Sequence, residues 1–322
     1  MSEFDLIKQH FTRPTRHTNL SVGDDAALIS FSAEMELAIS TDMLVSGIHF
    51  FSDADPYHLG WKSLAVNISD MAAMGANPKW ATLAIALPHE DDQWLSQFSQ
   101  GFFACASAYS VDLIGGDTTR THSKEALTIS VQIMGEVPLG QAIKRSGAKV
   151  GDGIWVSGPL GKAAAALKHL LKDIRIPEDE LSEHLQALHK PLPRVDLGIA
   201  LRNIANSCLD ISDGLLGDLQ HILKASNVGA EITLSAIPTS KFIALHLHDS
   251  SFQQFILAGG DDYELCFTAP QDKTSDIRTL AQTLKLPLTK IGTITSAPGL
   301  RVWDAEQQAV VLNKLGYNHF NP

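Results

Sequence analysis

Leu127, Ile129, Val131 and Ile133 alternate with Thr, Ser and Gln, and this period of two predicts a half-buried β-strand. Upstream the period changes. Asp55 as N-cap, Pro56 at the first turn and a stripe through Leu64, Ile68 and Met71 predict an α-helix ending near Gly75. A second stripe, Trp94, Phe98, Phe102 and Cys105, predicts the next helix, with its aromatics in the core. Short apolar runs at Glu36–Ser40, Trp80–Leu87 and Val111–Ile114 read as buried strands. From Pro138 to Gly153 the pattern loosens into Gly, Lys, Arg and Pro, and we place a domain boundary there. A second series follows: strands near 154–157, 208–211, 231–234, 263–268, 289–294, 300–303 and 309–312, and helices near 160–172, 178–189, 194–206, 215–225 and 273–285. This mixture predicts an α/β (α+β) protein of two domains, 1–140 and 150–322, which agrees with a length of 322 residues.

Composition narrows the function. A formal net charge of −11, with no run of Lys or Arg, argues against nucleic acid as a partner. The opening residues lack a signal-peptide core, and no segment approaches the roughly 18 apolar residues of a membrane span. We therefore expect a cytoplasmic protein without a membrane partner. The three cysteines, Cys105, Cys208 and Cys266, sit in apolar runs without C-x-x-C spacing and read as reduced core residues.

The candidate chemistry lies in five short segments: Gly23-Asp24-Asp25, Ser40-Thr41-Asp42, Asn67-Ile68-Ser69-Asp70, Gly115-Gly116-Asp117 and Asp210-Ile211-Ser212-Asp213. Each reads as an acidic group at the end of an apolar run. Any one of these aspartates taken alone is as readily a turn former or helix cap. Taken together they would repel one another unless neutralised. With few basic residues beside them, the economical neutraliser is Mg²⁺ carrying a nucleotide, because that ion takes oxygen ligands and commonly bridges carboxylates to phosphates. Asn67 and Asp70, three apart on the predicted helix, can face one site.

Gly158-Pro159-Leu160-Gly161-Lys162-Ala163 superficially resembles a phosphate loop, but lacks the earlier glycine and the Ser or Thr after the lysine. The histidines show no zinc spacing, and most read as surface residues. His49 follows Asp42 closely enough to reach the same cleft. Arg145, in the basic group with Lys144 and Lys149, is either part of a solvated run or a clamp on polyphosphate. Arg120 is a second candidate for that role.

Seven segments, in order, resemble the thiamine-monophosphate kinase family: Gly23-Asp24-Asp25-Ala26-Ala27-Leu28, Ser40-Thr41-Asp42, Asn67 through Gly75, Leu113 through Thr119, Arg145-Ser146-Gly147-Ala148, Asp210 through Leu215, and Gly259-Gly260-Asp261-Asp262-Tyr263-Glu264-Leu265. The resemblance runs almost the whole length of the chain. It implies a two-domain fold like that of aminoimidazole ribonucleotide synthetase, whose N-terminal sheet pairs across a homodimer and whose C-terminal domain is α/β. It also implies Mg²⁺ as cofactor and ATP as co-substrate, with in-line phosphorylation of thiamine monophosphate to thiamine diphosphate. By similarity, Asp25, Ser40, Thr41, Asp42, Asp70, Asp117, Asp210 and Asp213 would hold the metal, and Gly116, Asp117, Arg145 and Ser212 the nucleotide. His49, Asp261 and Tyr317 would contact thiamine phosphate. Asp42, Asp213 and Arg145 are the expected catalytic residues. One departure is visible: the family often has Glu where this chain has Asp261. Rival readings are another ATP-dependent synthetase of the superfamily, a metal-dependent phosphohydrolase, and a nucleotide sensor without turnover.

Overall fold

A computed structural model of the chain describes residues 3–23, 25–30, 32–122, 126–310 and 316. It contains two compact units, one of residues 1–71 and 76–140 and the other of 72–75 and 141–322.

In the first unit, β1 (Thr18–Leu20) and β2 (Leu28–Ile29) form an antiparallel ribbon. A four-stranded sheet comprises β3 (Met35–Val45), β4 (Asn77–Leu87), β5 (Asp112–Arg120) and β6 (Thr128–Pro138) in the order β3-β6-β4-β5. Only β4 and β5 run parallel. The alternating stretch predicted at 127–133 is the half-buried first part of β6, with Ile129, Val131 and Ile133 inward, and the strand is continuously buried from Ile133 to Val137. The two predicted helices form at Pro56–Ala73 and Asp92–Ala108, the latter capped by the Asp91 carboxylate accepting from Trp94 N at 2.9 Å. Their apolar stripes are buried at Leu64, Ile68, Met71, Phe98, Phe102 and Cys105, while Trp94, expected in the core, is half-buried and stacked on Phe98.

Two strands run longer than their apolar runs suggest. β3 pairs with β6 without interruption from Met35 to Val45, so Thr41 and Asp42 lie inside a strand and not at its end. β5 likewise continues through Gly115-Gly116-Asp117 to Arg120, paired with β4. Both are edge strands. One side of such a strand faces solvent, so its polar residues hide it from a search for apolar runs.

The second unit is a six-stranded sheet of β7 (Gly153–Val156), β8 (Ser207–Asp210), β9 (Gly229–Thr233), β10 (Leu265–Ala269), β11 (Thr289–Thr295) and β12 (Gly299–Trp303), ordered β12-β9-β11-β7-β10-β8. The central strands read as continuous apolar runs because both faces are covered, and Ile154, Val156, Leu209, Ile232 and Cys266 share one core with Leu219 and Ile222 of helix Leu215–Ser226. Helix 194–206 shortens to Val195–Ala200. Helices Lys241–Leu245 and Ser250–Ala258, each capped by the side chain before it, add to the predicted elements. At the expected last strand, 309–312, Ala309 forms a single bridge to Trp303, and residues from 311 on, apart from Gly316, lie outside the described residues. Among the described residues no helix is long and apolar enough to cross a membrane.

Candidate active site

In the first unit Ser40 and Asp42, two apart on β3, share one face, and Thr41 between them is exposed. Helix Pro56–Ala73 meets this strand through two polar residues one turn apart. Ser40 Oγ donates to Asp70 Oδ2 at 2.5 Å, and Asp42 N donates to Asn67 Oδ1 at 3.0 Å. Asn67 Nδ2 in turn donates to Ser63 O at 3.0 Å, which sets the orientation of the amide. The helix and the strand thus gather a hydroxyl and two carboxylates, all hard oxygen donors. His49 folds back on the end of β3: its Nδ1 accepts from Val45 N at 3.0 Å and its own N donates to Val45 O at 2.9 Å. A neutral ring therefore carries its proton on Nε2.

Gly116 and Asp117 lie on the opposite edge of the sheet. A side chain at Gly116 would run into the carbonyl of Leu83 on β4. Asp117 is level with Ala84, Ala84 with Ser130, and Ser130 with Met43, next to Asp42. Three strand spacings put about 14 Å of sheet between the two acidic groups. Asp25 is exposed on the bend between β1 and β2. Nearby, Ser21 Oγ donates to Leu113 O of β5 at 3.4 Å, and the segment before β1 is held to the same strand where Asp112 Oδ2 accepts from Arg16 N, His17 N and Thr18 Oγ1 at 2.8, 2.6 and 3.1 Å.

In the second unit two motifs far apart in sequence are joined by main-chain hydrogen bonds. Asp261 N donates to Ser212 O at 2.9 Å, Tyr263 N to Ile211 O at 2.8 Å, and Ile211 N to Glu264 O at 2.8 Å. Asp210 at the end of β8 and Ser212 and Asp213 on the turn after it are thereby brought beside the turn of Asp261. Asp261 and Tyr263 both adopt left-handed backbone, at φ of 70° and 49°. That is costly for residues with a side chain and commonly marks a functional turn. Tyr263 Oη donates to Asp261 Oδ1 at 3.2 Å, so the tyrosine orients the carboxylate that sequence reasoning assigned to substrate.

The turn is braced from behind. Arg194 grips Glu264 through Nε and Nη2 at 2.7 and 2.5 Å, and Ser157 Oγ donates to the same carboxylate at 2.5 Å. Asp262 holds the place that a phosphate would take at the Gly158–Ala163 segment. Both oxygens of its carboxylate accept from Gly161 N at 3.0 Å, occupying the start of helix Lys162–Leu170 where an anion would otherwise bind. Burial pushes the Asp262 carboxyl well above the usual range; the Gly161 N–H draws it back, while Glu264 and Asp261 push it further up.

The exposed Arg145 stands in a loop whose backbone is tied to Ser226: Gly147 N and Ala148 N each donate to Ser226 Oγ at 3.1 Å, and that hydroxyl donates to Arg145 O at 3.3 Å. Tyr317 lies outside the described residues. Its neighbour Gly316 packs on the turn after β8, where an added Cβ would stand 3.2 Å from Asp213 O.

Other candidates resolve as structural. Glu180, Glu183 and His184 are close enough to share an ion, but His184 bonds Glu180 O at 2.8 Å and Ser240 Oγ at 3.0 Å, Glu180 accepts from Phe242 N, and Glu183 pairs with Lys162. Not all histidines are on the surface, since His184 and His10 are buried. Burial pushes the Cys266 thiol up to about 12 and Cys208 well above its usual value, so both are inert thiols. Sequence reasoning missed Tyr263, Arg194, Asp218 and Ser226 as supports of the site; Arg194 and Ser226 act on segments that only folding brings near, Asp218 acts on backbone amides, and Tyr263 meets its near neighbour Asp261 across a left-handed turn.

A sheet with oxygen donors on β3, followed by an α/β unit with a Ser-Asp turn after β8, defines an AIR synthase related protein. Residues 23–137 match the family AIR synthase related protein, N-terminal domain, and residues 149–305 its C-terminal domain. The chain is 42% identical over 322 residues to the thiamine-monophosphate kinase of Escherichia coli (strain K12), covering 99% of this chain and 98% of that protein. The crystal structure of thiamine-monophosphate kinase from Stenotrophomonas maltophilia K279a superposes with a TM-score of 0.84 at 41% identity, over 95% of this chain and 96% of that one. A structure of AaThiL complexed with AMPPCP and TMP superposes with a TM-score of 0.78 at 30% identity, over 98% and 96% of the two chains. The chain belongs to the thiamine-monophosphate kinase family.

Proposed function

We propose that the chain transfers the γ-phosphoryl group of ATP in line to the phosphate of thiamine monophosphate, releasing thiamine diphosphate and ADP, with Mg²⁺ as the counter-charge. Kinase activity and its two small-molecule substrates accord with kinship over nearly the whole chain and with a relative that holds AMPPCP and TMP together. The observation that carries the metal reading is the Ser40, Asp42 and Asp70 group, whose hydroxyl and carboxylates suit a hard divalent cation and offer no soft ligand. Bound there, Mg²⁺ would neutralise charge on the phosphates and on the developing transition state.

Asp42 and Asp213 are the metal-holding carboxylates on which turnover depends. Asp25, Ser40, Thr41, Asp70, Asp117 and Asp210 are the further ligands proposed from family resemblance, divided among several Mg²⁺ ions because about 14 Å of sheet separates Asp42 from Asp117. Gly116, Asp117, Arg145 and Ser212 bind the nucleotide; at Gly116 the glycine itself is required by the Leu83 carbonyl of β4, which any side chain would strike. His49, Asp261 and Tyr317 receive the thiamine moiety, with Asp261 offering a carboxylate to its cationic ring. The acceptor phosphate is already ionised near neutral pH, so the chain supplies positioning and charge, and no general base is required.

We further propose a cytoplasmic homodimer joined through the first unit's sheet. Ile39 and Met43 of edge strand β3 are each 56% exposed, an apolar surface that a second copy would cover. The domain limits 1–140 and 150–322 remain our proposal for the folding units.

The test is ADP formation with thiamine monophosphate, free thiamine or no acceptor. Rapid turnover only with thiamine monophosphate is expected, together with its loss in Asp42→Asn and Asp213→Asn while circular dichroism stays native. Phosphate release without acceptor would favour a phosphohydrolase, and wild-type turnover by both variants at saturating Mg²⁺ would refute the metal site.

A further inference from the structure

Helix Leu215–Ser226 touches both nucleotide-side loops of the second unit through polar side chains near its two ends. Near its start, Asp218 is 6% exposed, and one of its oxygens, Oδ2, accepts from three consecutive amides: Ser212 N at 3.0 Å, Asp213 N at 3.0 Å and Gly214 N at 3.1 Å. At its last residue, Ser226 Oγ accepts from Gly147 N and Ala148 N and donates to Arg145 O. Between them Leu219, Ile222 and Leu223 are locked in the core, so the helix cannot shift independently of the sheet. Eight residues at 1.5 Å each set the anchor points about 12 Å apart along the axis. The two loops are thereby tied to fixed points of one helix.

We propose that Asp218 and Ser226 are positioning residues for phosphoryl transfer, and that this helix is a splint holding Ser212 and Asp213 at a set distance from Arg145. The inference rests on the assignment of those three residues under Proposed function. Asp218 converges the three amides on one oxygen, which fixes the backbone of the turn that carries Ser212 and Asp213. Ser226 plays the corresponding part for the loop of Arg145. Neither residue needs to touch substrate.

The experiment uses the full chain, with initial rates measured against ATP, Mg²⁺ and thiamine monophosphate, and melting followed by circular dichroism. Asp218→Ala removes the shared acceptor and is expected to raise the Mg²⁺ requirement or lower kcat by about 10–100-fold, as for the loss of other supports behind a metal ligand. Asp218→Asn keeps an oxygen for the amides and should recover most of that loss, which a role for charge alone would not allow. Ser226→Ala should raise the KM for ATP by about 3–10-fold, the equivalent of one modest hydrogen bond, with little change in kcat or in the KM for thiamine monophosphate. Asp213→Asn serves as the reference: if it keeps wild-type turnover, the function assigned to the turn is wrong. If it is inactive while Asp218→Ala retains wild-type Mg²⁺ and ATP dependence, the splint is wrong. Equal losses in Asp218→Ala and Asp218→Asn also overturn it. Should Asp218→Ala fail to fold, an unchanged ATP KM in Ser226→Ala does so on its own.

Discussion

Arg194→Leu removes the cation that faces Glu264 and leaves the carboxylate with the Ser157 hydroxyl as its remaining described side-chain donor. The Glu264 side chain is 9% exposed and the Arg194 side chain 20%. Removing one partner of a buried pair costs about 3–5 kcal/mol, chiefly because the other charge stays buried without compensation. Partial exposure of Arg194 lets some water reach the site, which places the expected cost near 3 kcal/mol. For a unit of this size that corresponds to a melting point roughly 6–12 °C lower. The assay is urea unfolding followed through Trp155, which is buried in the same sheet. A double-mutant cycle separates charge from packing: Arg194→Leu with Glu264→Gln should recover at least half of the loss, because a neutral amide is far cheaper to bury. Because Glu264 O accepts from Ile211 N, the single variant should also loosen the joint between the Ser212 and Asp261 turns and lower activity. A loss below about 1 kcal/mol in the single variant, or no recovery in the double, refutes the reasoning.

Tyr263→Phe deletes the hydroxyl that orients Asp261 and should raise the KM for thiamine monophosphate by about 2–10-fold with the ATP KM unchanged; equal shifts in both would detach Asp261 from the acceptor. Asp262 provides a pH signature. Burial raises its folded pKa above the unfolded value of 3.8, so the folded state holds the proton more tightly, and this contribution to stability is present at low pH and lost as pH rises through the folded value. Asp262→Asn mimics the protonated acid, and its stability relative to wild type should therefore increase from pH 4 to pH 8. A flat or falling difference in urea midpoints would refute the burial argument.

Periodicity alone placed helices Pro56–Ala73 and Asp92–Ala108 and the half-buried first part of β6, because a one-sided helix or strand must repeat its apolar residues at its own period. The segments bearing Asp42, Asp70, Asp213 and Asp261 were legible as clusters of small polar and acidic residues, and their order along the chain carried the family resemblance. Strand ends were not legible: β3 and β5 continue through their polar residues because backbone pairing, blind to side chains, extends them. Nor was grouping. Sequence cannot tell that Asp42 and Asp117 stand on opposite edges of one sheet, which strand order decides, or that Ser212 and Asp261 are bonded neighbours. Supports such as Asp218, Ser226 and Arg194 act on backbone or on residues dozens of positions away, so their roles arise only when the chain has closed the loops between them.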